Sequence, residues 1–359
     1  MRWSVRLISL CSTVRRVTLT WAGALSIAAL IGLVSACGRG ASPPTPPVPP
    51  DVYAAGVEDN GTFLVAKYWK NGLPVVLTPP PYGGESFAIL VVGSDVYVAG
   101  TQGGKGIHNQ AMYWKNGLGV ALTDGTHDAY AQAIAVVGGD VYVAGEDGFA
   151  AKLWKNGVAT VLADGPQPSF ALGITVDGAD VYVAGAVSKT TPVPGGTYSN
   201  VVATYWKNGV PVSLADGLEG SQANSIVVSN GDVYVAGYLC HSQTTDCNAA
   251  TYWKNGVPTQ LSPVTPAIAT SIIQGSDGIY VGIETGPDSA GYWHNGSETV
   301  LATNPGQVGV NQIVQYDGTI YAAGGQAGVA EYWKGTQGHT LTDGSQFATA
   351  YAIAVVPHQ

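Results

Sequence analysis

The feature that most constrains the fold of this chain is a string of residues that recurs along most of its length. One copy, at 203–212, reads Ala-Thr-Tyr-Trp-Lys-Asn-Gly-Val-Pro-Val and is followed by Asp-Val-Tyr-Val-Ala-Gly at 232–237. The tryptophans of the copies are Trp69, Trp114, Trp154, Trp206, Trp253, Trp293 and Trp333. A spacing in the forties, without helical apolar periodicity, is typical of β-propeller blades. The sequence therefore predicts an all-β fold of seven four-stranded blades.

The composition of each copy supports this prediction. Val-Tyr-Val suits a packed, pleated strand. The Asn-Gly pairs predict tight hairpins between the third and fourth strands, because both residues tolerate positive φ. These pairs lie at 71–72, 116–117, 156–157, 208–209, 255–256 and 295–296, and the last copy has Lys-Gly-Thr instead.

The two ends of the repeat region complement each other. The first copy starts at Asp51 without a first strand, and 350–356 reads as a first strand with no copy after it. We expect this C-terminal strand to pair with the N-terminal blade, since the pairing closes the ring and removes an open sheet edge. The predicted propeller spans 51–359.

Residues 1–36 have the composition of an export signal. Four arginines precede an apolar run at 17–36 without acidic residues, which ends Leu-Val-Ser-Ala before Cys37. This ending resembles the lipobox of bacterial lipoproteins, which implies cleavage before Cys37 and its acylation. Gly38 then implies an outer-membrane or cell-surface location. An ordinary signal peptide or an uncleaved anchor helix are the alternatives, because the run is long for a secretory signal.

A proline-rich segment at 37–50 is expected to act as a stiff tether between the lipid anchor and the propeller. The charge balance then argues against nucleic acid as a partner. Removal of 1–36 would leave 11 basic and 24 acidic side chains, with Arg39 as the only arginine. Nucleic-acid-binding surfaces depend on arginine and on a basic face. We expect partners to be the membrane, through the anchor, and a protein or glycan.

The cysteines agree with export. Cys11 lies in the predicted signal, and Cys240 and Cys247 lie between the second and third strands of one blade. In an oxidising compartment these two are expected to form a loop-closing disulfide. Zinc binding by these cysteines and His241 is the alternative, but a fourth ligand is not evident. The sequence predicts no metal site and no cofactor.

Length variation is confined to one face of the predicted ring. The turns between strands one and two and between strands three and four are short and repeated, whereas the strand 2–3 loops at 101–110, 186–202 and 238–248 vary. Function tends to lie on variable loops held by a rigid scaffold. This loop face is therefore the candidate binding surface.

Several polar residues on the loop face allow more than one interpretation. Four Asp-Gly pairs suggest either metal or acid–base chemistry or simple turns, and their repetition favours turns. They are Asp124, Asp164, Asp216 and Asp343. His108, His127 and His241 lack a paired metal-ligand spacing, so exposed loop histidines are expected.

One position near the start of the first strand breaks the symmetry of the repeat, close to the expected channel mouth. Its occupants are Phe87, Gln132, Leu172, Asn224, Thr270, Asn311 and Tyr351. A specific binding site needs such a break in symmetry, although drift would also produce one. The candidate ligand-binding residues are Gln132, Asn224, Thr270, Asn311 and Tyr351.

The repeated Tyr-Trp pairs also have two interpretations. Aromatic side chains stack on sugar rings, but their presence in nearly every copy favours packing between blades. The lysine that follows most of these tryptophans is expected to form a solvated rim on the opposite, tight-turn face.

Two elements of the repeat resemble known families. Asp-Val-Tyr-Val-Ala-Gly resembles the core of the SBBP-type β-propeller repeat, and Trp-Lys-Asn-Gly followed by Ala-x-Ala-Ile resembles the HAF-type extracellular repeat. The resemblance covers most of 51–356 and concerns structural positions, so it implies an exported repeat protein and carries over no catalytic residue.

No catalytic motif stands out in the chain: Gly-x-Ser-x-Gly, His-Glu-x-x-His, phosphate-loop and EF-hand patterns are missing. The sequence favours a lipid-anchored binding module for a protein or an envelope glycan rather than an enzyme. A glycan-active hydrolase or lyase with acidic residues at the channel mouth is the alternative. A purely structural role in an envelope assembly is the third.

Overall fold

The computed structural model describes residues 48–104, 107–193, 196–240, 248–261, 266–286, 288–303 and 308–359. The predicted signal segment 1–36, the predicted lipid site Cys37 and the predicted disulfide partner Cys247 lie outside these residues. In the described part of the chain, no helix has the length and apolarity needed to cross a membrane.

Twenty-eight strands of the described residues form seven four-stranded antiparallel sheets, each a blade. From the centre outward, blade 1 is β28 (Ala348–Val356), β1 (Asp51–Asp59), β2 (Leu64–Lys70) and β3 (Leu73–Val76). Blade 2 is β4 (Ser86–Val92), β5 (Asp95–Gly104), β6 (Ile107–Lys115) and β7 (Leu118–Ala121). Blade 3 is β8 (Ala129–Val137), β9 (Asp140–Asp147), β10 (Ala150–Lys155) and β11 (Val158–Ala163).

The remaining four blades follow the same order. Blade 4 is β12 (Ser169–Asp177), β13 (Asp180–Val193), β14 (Gly196–Lys207) and β15 (Val210–Ser213). Blade 5 is β16 (Ser221–Ser229), β17 (Asp232–Cys240), β18 (Asn248–Lys254) and β19 (Val257–Gln260). Blade 6 is β20 (Ala267–Gly275), β21 (Gly278–Thr285), β22 (Ser289–His294) and β23 (Ser297–Thr303). Blade 7 is β24 (Val308–Tyr316), β25 (Thr319–Gln326), β26 (Val329–Lys334) and β27 (Gln337–Thr340).

The closure of the ring is confirmed. Strand β28 pairs antiparallel with β1, from Ala348 opposite Glu58 to Val356 opposite Asp51. Each innermost strand also contacts the innermost strand of the next blade, around the whole ring. The seven-bladed, all-β architecture is therefore the one that the repeat predicted.

The hydrophobic core is divided among the seven interfaces between neighbouring blades. One cluster of buried side chains lies at each interface, and the cluster between blades 1 and 2 contains Tyr53, Val98 and Trp114. The repeated tryptophans are almost fully buried, with the exception of the half-buried Trp293. Packing between blades, rather than sugar binding, is therefore the role of these residues.

The tight-turn face carries the same polar cluster in blades 1 to 5. In blade 2, Asn116 adopts a φ of 52°, accepts the N–H of Val96 at 2.9 Å and donates to Asp95 at 2.7 Å. Lys115 pairs with the other oxygen of Asp95 at 2.8 Å and lies over the ring of Tyr97. The predicted rim of lysines is thus half-exposed and held in place by aspartates.

The innermost strand of every blade contains a β-bulge, which explains the glycine of Val-Ala-Gly. In blade 4 the pairing with β13 shifts between Ala171 and Gly173, so Leu172 has no partner across the ladder. An ideal Cβ on Gly185 would lie 1.9 Å from the carbonyl oxygen of Phe170. Equivalent glycines in five other blades face a carbonyl at 1.9–2.0 Å. In these six blades the glycine leaves room for a carbonyl oxygen of the inner strand. Blade 6 has the same bulge with Ile283 at this position.

The variable segments of the loop face are more regular than the sequence predicts. Residues 186–202, expected as the longest loop, mostly extend β13 and β14, which pair as far as Val193 opposite Gly196. Residues Pro49–Gln359 together form one compact unit.

Candidate functional site

The symmetry-breaking position of the sequence coincides with the β-bulge of the innermost strands. The ladder shifts fall at Phe87, Gln132, Leu172, Asn224, Thr270, Asn311 and Tyr351. A bulge leaves its extra residue unpaired and turns its side chain away from the sheet. Each of the five predicted site residues is therefore a bulge residue on the inner ring.

Three of these residues form a polar arc in blades 5, 6 and 7: Asn224, Thr270 and Asn311. Each donates to a backbone carbonyl of the next blade. Asn224 Nδ2 lies 2.9 Å from Ala269 O, Thr270 Oγ1 lies 2.7 Å from Val310 O, and Asn311 Nδ2 lies 2.9 Å from Ala350 O. The polar arc thus links neighbouring blades.

The residue after the bulge strengthens the same interfaces. Ser225 Oγ accepts the N–H of Ile272 at 3.3 Å, and Ser271 Oγ accepts the N–H of Ile313 at 3.1 Å. Gln312 Oε1 accepts the N–H of Ile353 at 2.8 Å. Two hydrogen bonds per interface hold blades 5, 6, 7 and 1 together at the inner ring.

The inner ring has a different character at blades 1, 2 and 3, where Tyr351, Phe87 and Tyr130 form an aromatic arc. The ring of Phe87 lies 5.5 Å from that of Tyr351 and 6.4 Å from that of Tyr130. The hydroxyl of Tyr351 donates to Glu85 Oε2 at 3.0 Å. Burial and the Glu85 carboxylate raise the pKa of Tyr351, so this hydroxyl stays protonated as a donor.

Gln132 belongs to neither arc by its contacts. Its Nε2 donates to Glu146 Oε1 in the same blade at 3.1 Å. Glu146 is buried, and among the described residues its Oε2 has no hydrogen-bond partner. Burial raises the pKa of Glu146 to about 7, because the charged carboxylate loses its hydration there.

Two of the predicted residues, Asn311 and Tyr351, meet in a depression of about 600 Å³ between blades 7 and 1 on the loop face. We call this depression the seam pocket. Its other polar and aromatic lining residues are Ser345, Gln346, Phe347 and Thr349. Phe347 is 53% exposed, so it offers an apolar surface to a ligand. Asn224, Thr270 and Gln132 do not line the seam pocket.

Gly309 lines the seam pocket, and its missing side chain makes room there for Glu284. At the position two residues before the bulge, the other blades carry a side chain, whereas blade 7 has Gly309. The room is taken by Glu284, whose Oε1 would lie 2.7 Å from a Cβ on Gly309. The N–H of Val310 donates to the Glu284 carboxylate, but burial outweighs this bond and raises the pKa of Glu284 to about 7.

A second pocket of about 530 Å³ lies between blades 1 and 2 on the same face. Its lining includes Phe63, Glu85, Thr101 and Asn109. Asn109 Nδ2 donates to the hydroxyl of Tyr130 at 3.3 Å, so this pocket is joined to the aromatic arc.

The Asp-Gly aspartates serve as turn residues. Asp124, Asp216 and Asp343 each accept the N–H of the residue two positions later at 2.9 Å. Asp164 accepts the N–H of Gly165 at 2.8 Å. Within the described residues, no group of three or more His, Cys, Asp or Glu side chains is placed to hold a metal ion.

Cys240 ends β17 and is disulfide-bonded. Its pairing with Cys247 stays a prediction, because Cys247 lies outside the described residues. The acylation of Cys37 stays a prediction for the same reason.

Sequence reasoning missed the acidic and aromatic walls of the two pockets. Phe347, Phe63 and Glu85 lie in connecting segments whose spatial neighbours the repeat does not reveal. Two signals were available: Glu146 and Glu284 both follow the Val-Ala-Gly position of their blades, and Gly309 replaces a larger residue.

Neither the protein-family models nor the curated proteins include a match to this chain. The solved structure of a puromycin-hydrolyzing peptidase from Mycobacterium tuberculosis is similar to it, at 12% identity and a TM-score of 0.39. The similarity covers 71% of this chain and 53% of the peptidase, so the chain spans about half the length of that protein. A similarity at this level carries no information on activity. The SBBP-type and HAF-type resemblance stays a prediction.

Proposed function

We propose that this propeller is a binding module that takes a neutral envelope glycan in the seam pocket of its loop face. The observation that carries the proposal is the combination of the exposed Phe347 with the polar side chains of Asn311, Gln346 and Tyr351 in one depression. Apolar surface with a few convergent polar groups is the usual make-up of a ligand site. Aromatic faces and amide side chains suit the faces and hydroxyl groups of sugar rings.

The charges around the seam pocket narrow the ligand class. None of the described residues that line it is basic, and Glu284 and Glu85 flank it on either side. A sulfated, phosphorylated or carboxylated ligand would meet carboxyl groups without a compensating cation. A neutral ligand is therefore favoured over an anionic one.

The test is calorimetric titration of the full chain with neutral oligosaccharides of hexoses and N-acetylhexosamines. Phe347→Ala should weaken binding about tenfold, which corresponds to about 1.4 kcal/mol. Phe149→Ala is the matched control, because Phe149 is 56% exposed and lies in a strand 2–3 turn of blade 3, outside the seam pocket. Equal effects of the two variants, or no binding across the panel, would contradict the proposal. Binding of uncharged peptides instead would assign the pocket to a protein partner.

We also propose that the chain is a lipoprotein of the cell envelope, anchored through Cys37. The support is the arginine-rich start, the apolar run at 17–36 and the Leu-Val-Ser-Ala-Cys sequence. The proline-rich segment at 37–50 would hold the binding module away from the membrane. Cys37→Ser should shift the protein from the membrane fraction to the soluble fraction. An unchanged distribution would favour an uncleaved anchor.

A glycan-active hydrolase or lyase is the second candidate, and Glu284 is the observation that favours it. General acids need a pKa near the working pH, and burial raises the pKa of Glu284 to about 7 beside the seam pocket. Turnover of a bound oligosaccharide that disappears in Glu284→Gln, with binding retained, would establish an enzyme. Binding without turnover in the unchanged protein would favour the binding module over the enzyme.

A further inference from the structure

The seam pocket and the second pocket lie on either side of blade 1. The seam pocket is built from the end of blade 7 and from β28, and the second pocket from the β1–β2 loop and blade 2. Each has a volume within the usual range of a small-molecule site. A ligand that fills both would have to cross the loop face of blade 1.

A hydrogen bond joins the two pockets. Tyr351 lines the seam pocket, Glu85 lines the second pocket, and the Tyr351 hydroxyl donates to Glu85 at 3.0 Å. The two depressions are therefore in direct contact through this pair of lining side chains.

The aromatic arc runs along the same path. Phe87 packs between the rings of Tyr351 and Tyr130, and the hydroxyl of Tyr130 accepts from Asn109 in the second pocket. A chain of contacts thus runs from Tyr351 of the seam pocket through Phe87 and Tyr130 to Asn109 of the second pocket. Each pocket also has its own phenylalanine, Phe347 in the seam pocket and Phe63 in the second.

We propose that the two pockets are neighbouring subsites of one groove that binds a linear neutral oligosaccharide, with the Tyr351–Glu85 pair at their junction. This inference rests on the proposed function, and it assigns a chain of several sugar units rather than a single sugar. An internal segment of a polymer fits such a groove, because the ligand enters at one pocket and leaves at the other.

Once one end of an oligosaccharide is bound, the other end is held at high effective concentration near the second subsite. Affinity should therefore rise steeply when the chain becomes long enough to reach both pockets. A site confined to the seam pocket would show no further gain once that pocket is filled.

The experiment is a length series of β-1,4-linked N-acetylglucosamine and glucose oligomers, from one to six units, titrated against the full chain. We expect the longest bound oligomers to bind at least tenfold more tightly than the shortest. Phe63→Ala should remove this gain while leaving the affinity for the shortest oligomers unchanged. Phe347→Ala should lower the affinity for short and long oligomers alike.

Thr62→Trp provides an independent variant, because Thr62 is exposed on the rim of the second pocket and a tryptophan there would fill it without disturbing the core. Melting temperatures of all variants report whether they fold. Affinity that does not increase with length, or a length gain that survives both Phe63→Ala and Thr62→Trp, would overturn the extended groove while leaving the seam pocket in place. Absence of binding at every length would overturn the proposed function as well.

Discussion

The polar arc and the aromatic arc of the inner ring share one backbone geometry and differ in what their side chains do. In both, the innermost strand carries a bulge at the same position. Thr270 uses this position to bond the backbone of the next blade, whereas Tyr351 uses it to bond Glu85 between two pockets. The same bulge position can therefore carry a side chain that bonds the backbone of the next blade or one that lies between two pockets.

The difference shows how seven equivalent units can differ at a single position without any change of the scaffold. The scaffold accommodates residues as different as Leu172, Asn224 and Phe87 at the bulge, because the bulge residue is outside the ladder. The bulge residues of blades 5 to 7 bond the backbone of the next blade, whereas the bulges of blades 1 and 2 carry the aromatic Tyr351 and Phe87. Removal of a side-chain hydrogen bond at a bulge of the polar arc should therefore lower the free energy of unfolding more than the same change at a bulge of the aromatic arc.

The largest expected effect concerns two acids, the buried Glu146 opposite Tyr130 of the aromatic arc and the partly buried Glu284 beside the polar arc. Both have a folded pKa of about 7, against 4.5 for an exposed glutamate. Below pH 4.5 both the folded and the unfolded state hold the proton. As the pH rises from 4.5 to 7, the unfolded state releases it first, so the free energy of unfolding falls.

Replacement by glutamine should remove this loss. At about 1.4 kcal/mol per pH unit, Glu146→Gln and Glu284→Gln should each raise the free energy of unfolding by up to about 3 kcal/mol at pH 8 and leave it unchanged at pH 4. Denaturant melts at both pH values measure this, with the exposed Glu298→Gln as control. A variant no more stable than the unchanged protein at pH 8 would refute the buried, protonated state.

The next effect tests the bulge that both arcs share. A Cβ on Gly145 in blade 3 or Gly237 in blade 5 would lie 1.9 Å from an inner-strand carbonyl. Either alanine variant should lower the free energy of unfolding by about 1–3 kcal/mol, as overpacking does. Gly165→Ala, with open space around its Cβ, should have little effect in the same denaturant melt. If the free energy of unfolding falls by clearly different amounts in Gly145→Ala and Gly237→Ala, the backbone geometry of the two arcs differs as well.

A smaller effect is expected from the bonds of the polar arc. Thr270→Val keeps the shape of the side chain but removes the donor to Val310 O. A loss of about 1–2 kcal/mol is expected, since a part-buried carbonyl loses its partner. Thr270→Ser restores a hydroxyl and should recover most of it. Unchanged oligosaccharide affinity in Thr270→Val would separate Thr270 from the ligand site, in which Asn311 is the member of the polar arc.

The smallest stability effect is expected from Tyr351→Phe. It removes the hydroxyl that bonds Glu85. Because Glu85 is only partly buried, water can replace the lost donor, and the free energy of unfolding should fall by only about 0.5–1 kcal/mol. Affinity for long oligosaccharides should fall more than affinity for short ones, because the hydroxyl lies at the junction of the two pockets. A larger loss of stability than in Thr270→Val would place Tyr351 among the scaffold residues instead.

The sequence by itself was sufficient for the architecture. Asn116-Gly117 and its equivalents set the hairpins, the tryptophan spacing set the blade count, and the unmatched start at Asp51 set the closure. These features are local or periodic, so each copy reports the same structure independently. The bulge position that breaks the symmetry could also be identified from the sequence, because its residue differs between copies while the neighbouring residues of the repeat recur.

Only the tertiary structure decided what that position does. Asn311 and Thr270 look alike in the sequence, but only Asn311 lines the seam pocket. The partners that matter are 39 residues away for Asn311 and 266 residues away for Tyr351 and Glu85. Ring closure brings such distant segments into contact, and no local pattern encodes which pocket they will build. The scaffold can therefore be predicted from the repeat, whereas the candidate site depends on the contacts between blades that only the folded ring creates.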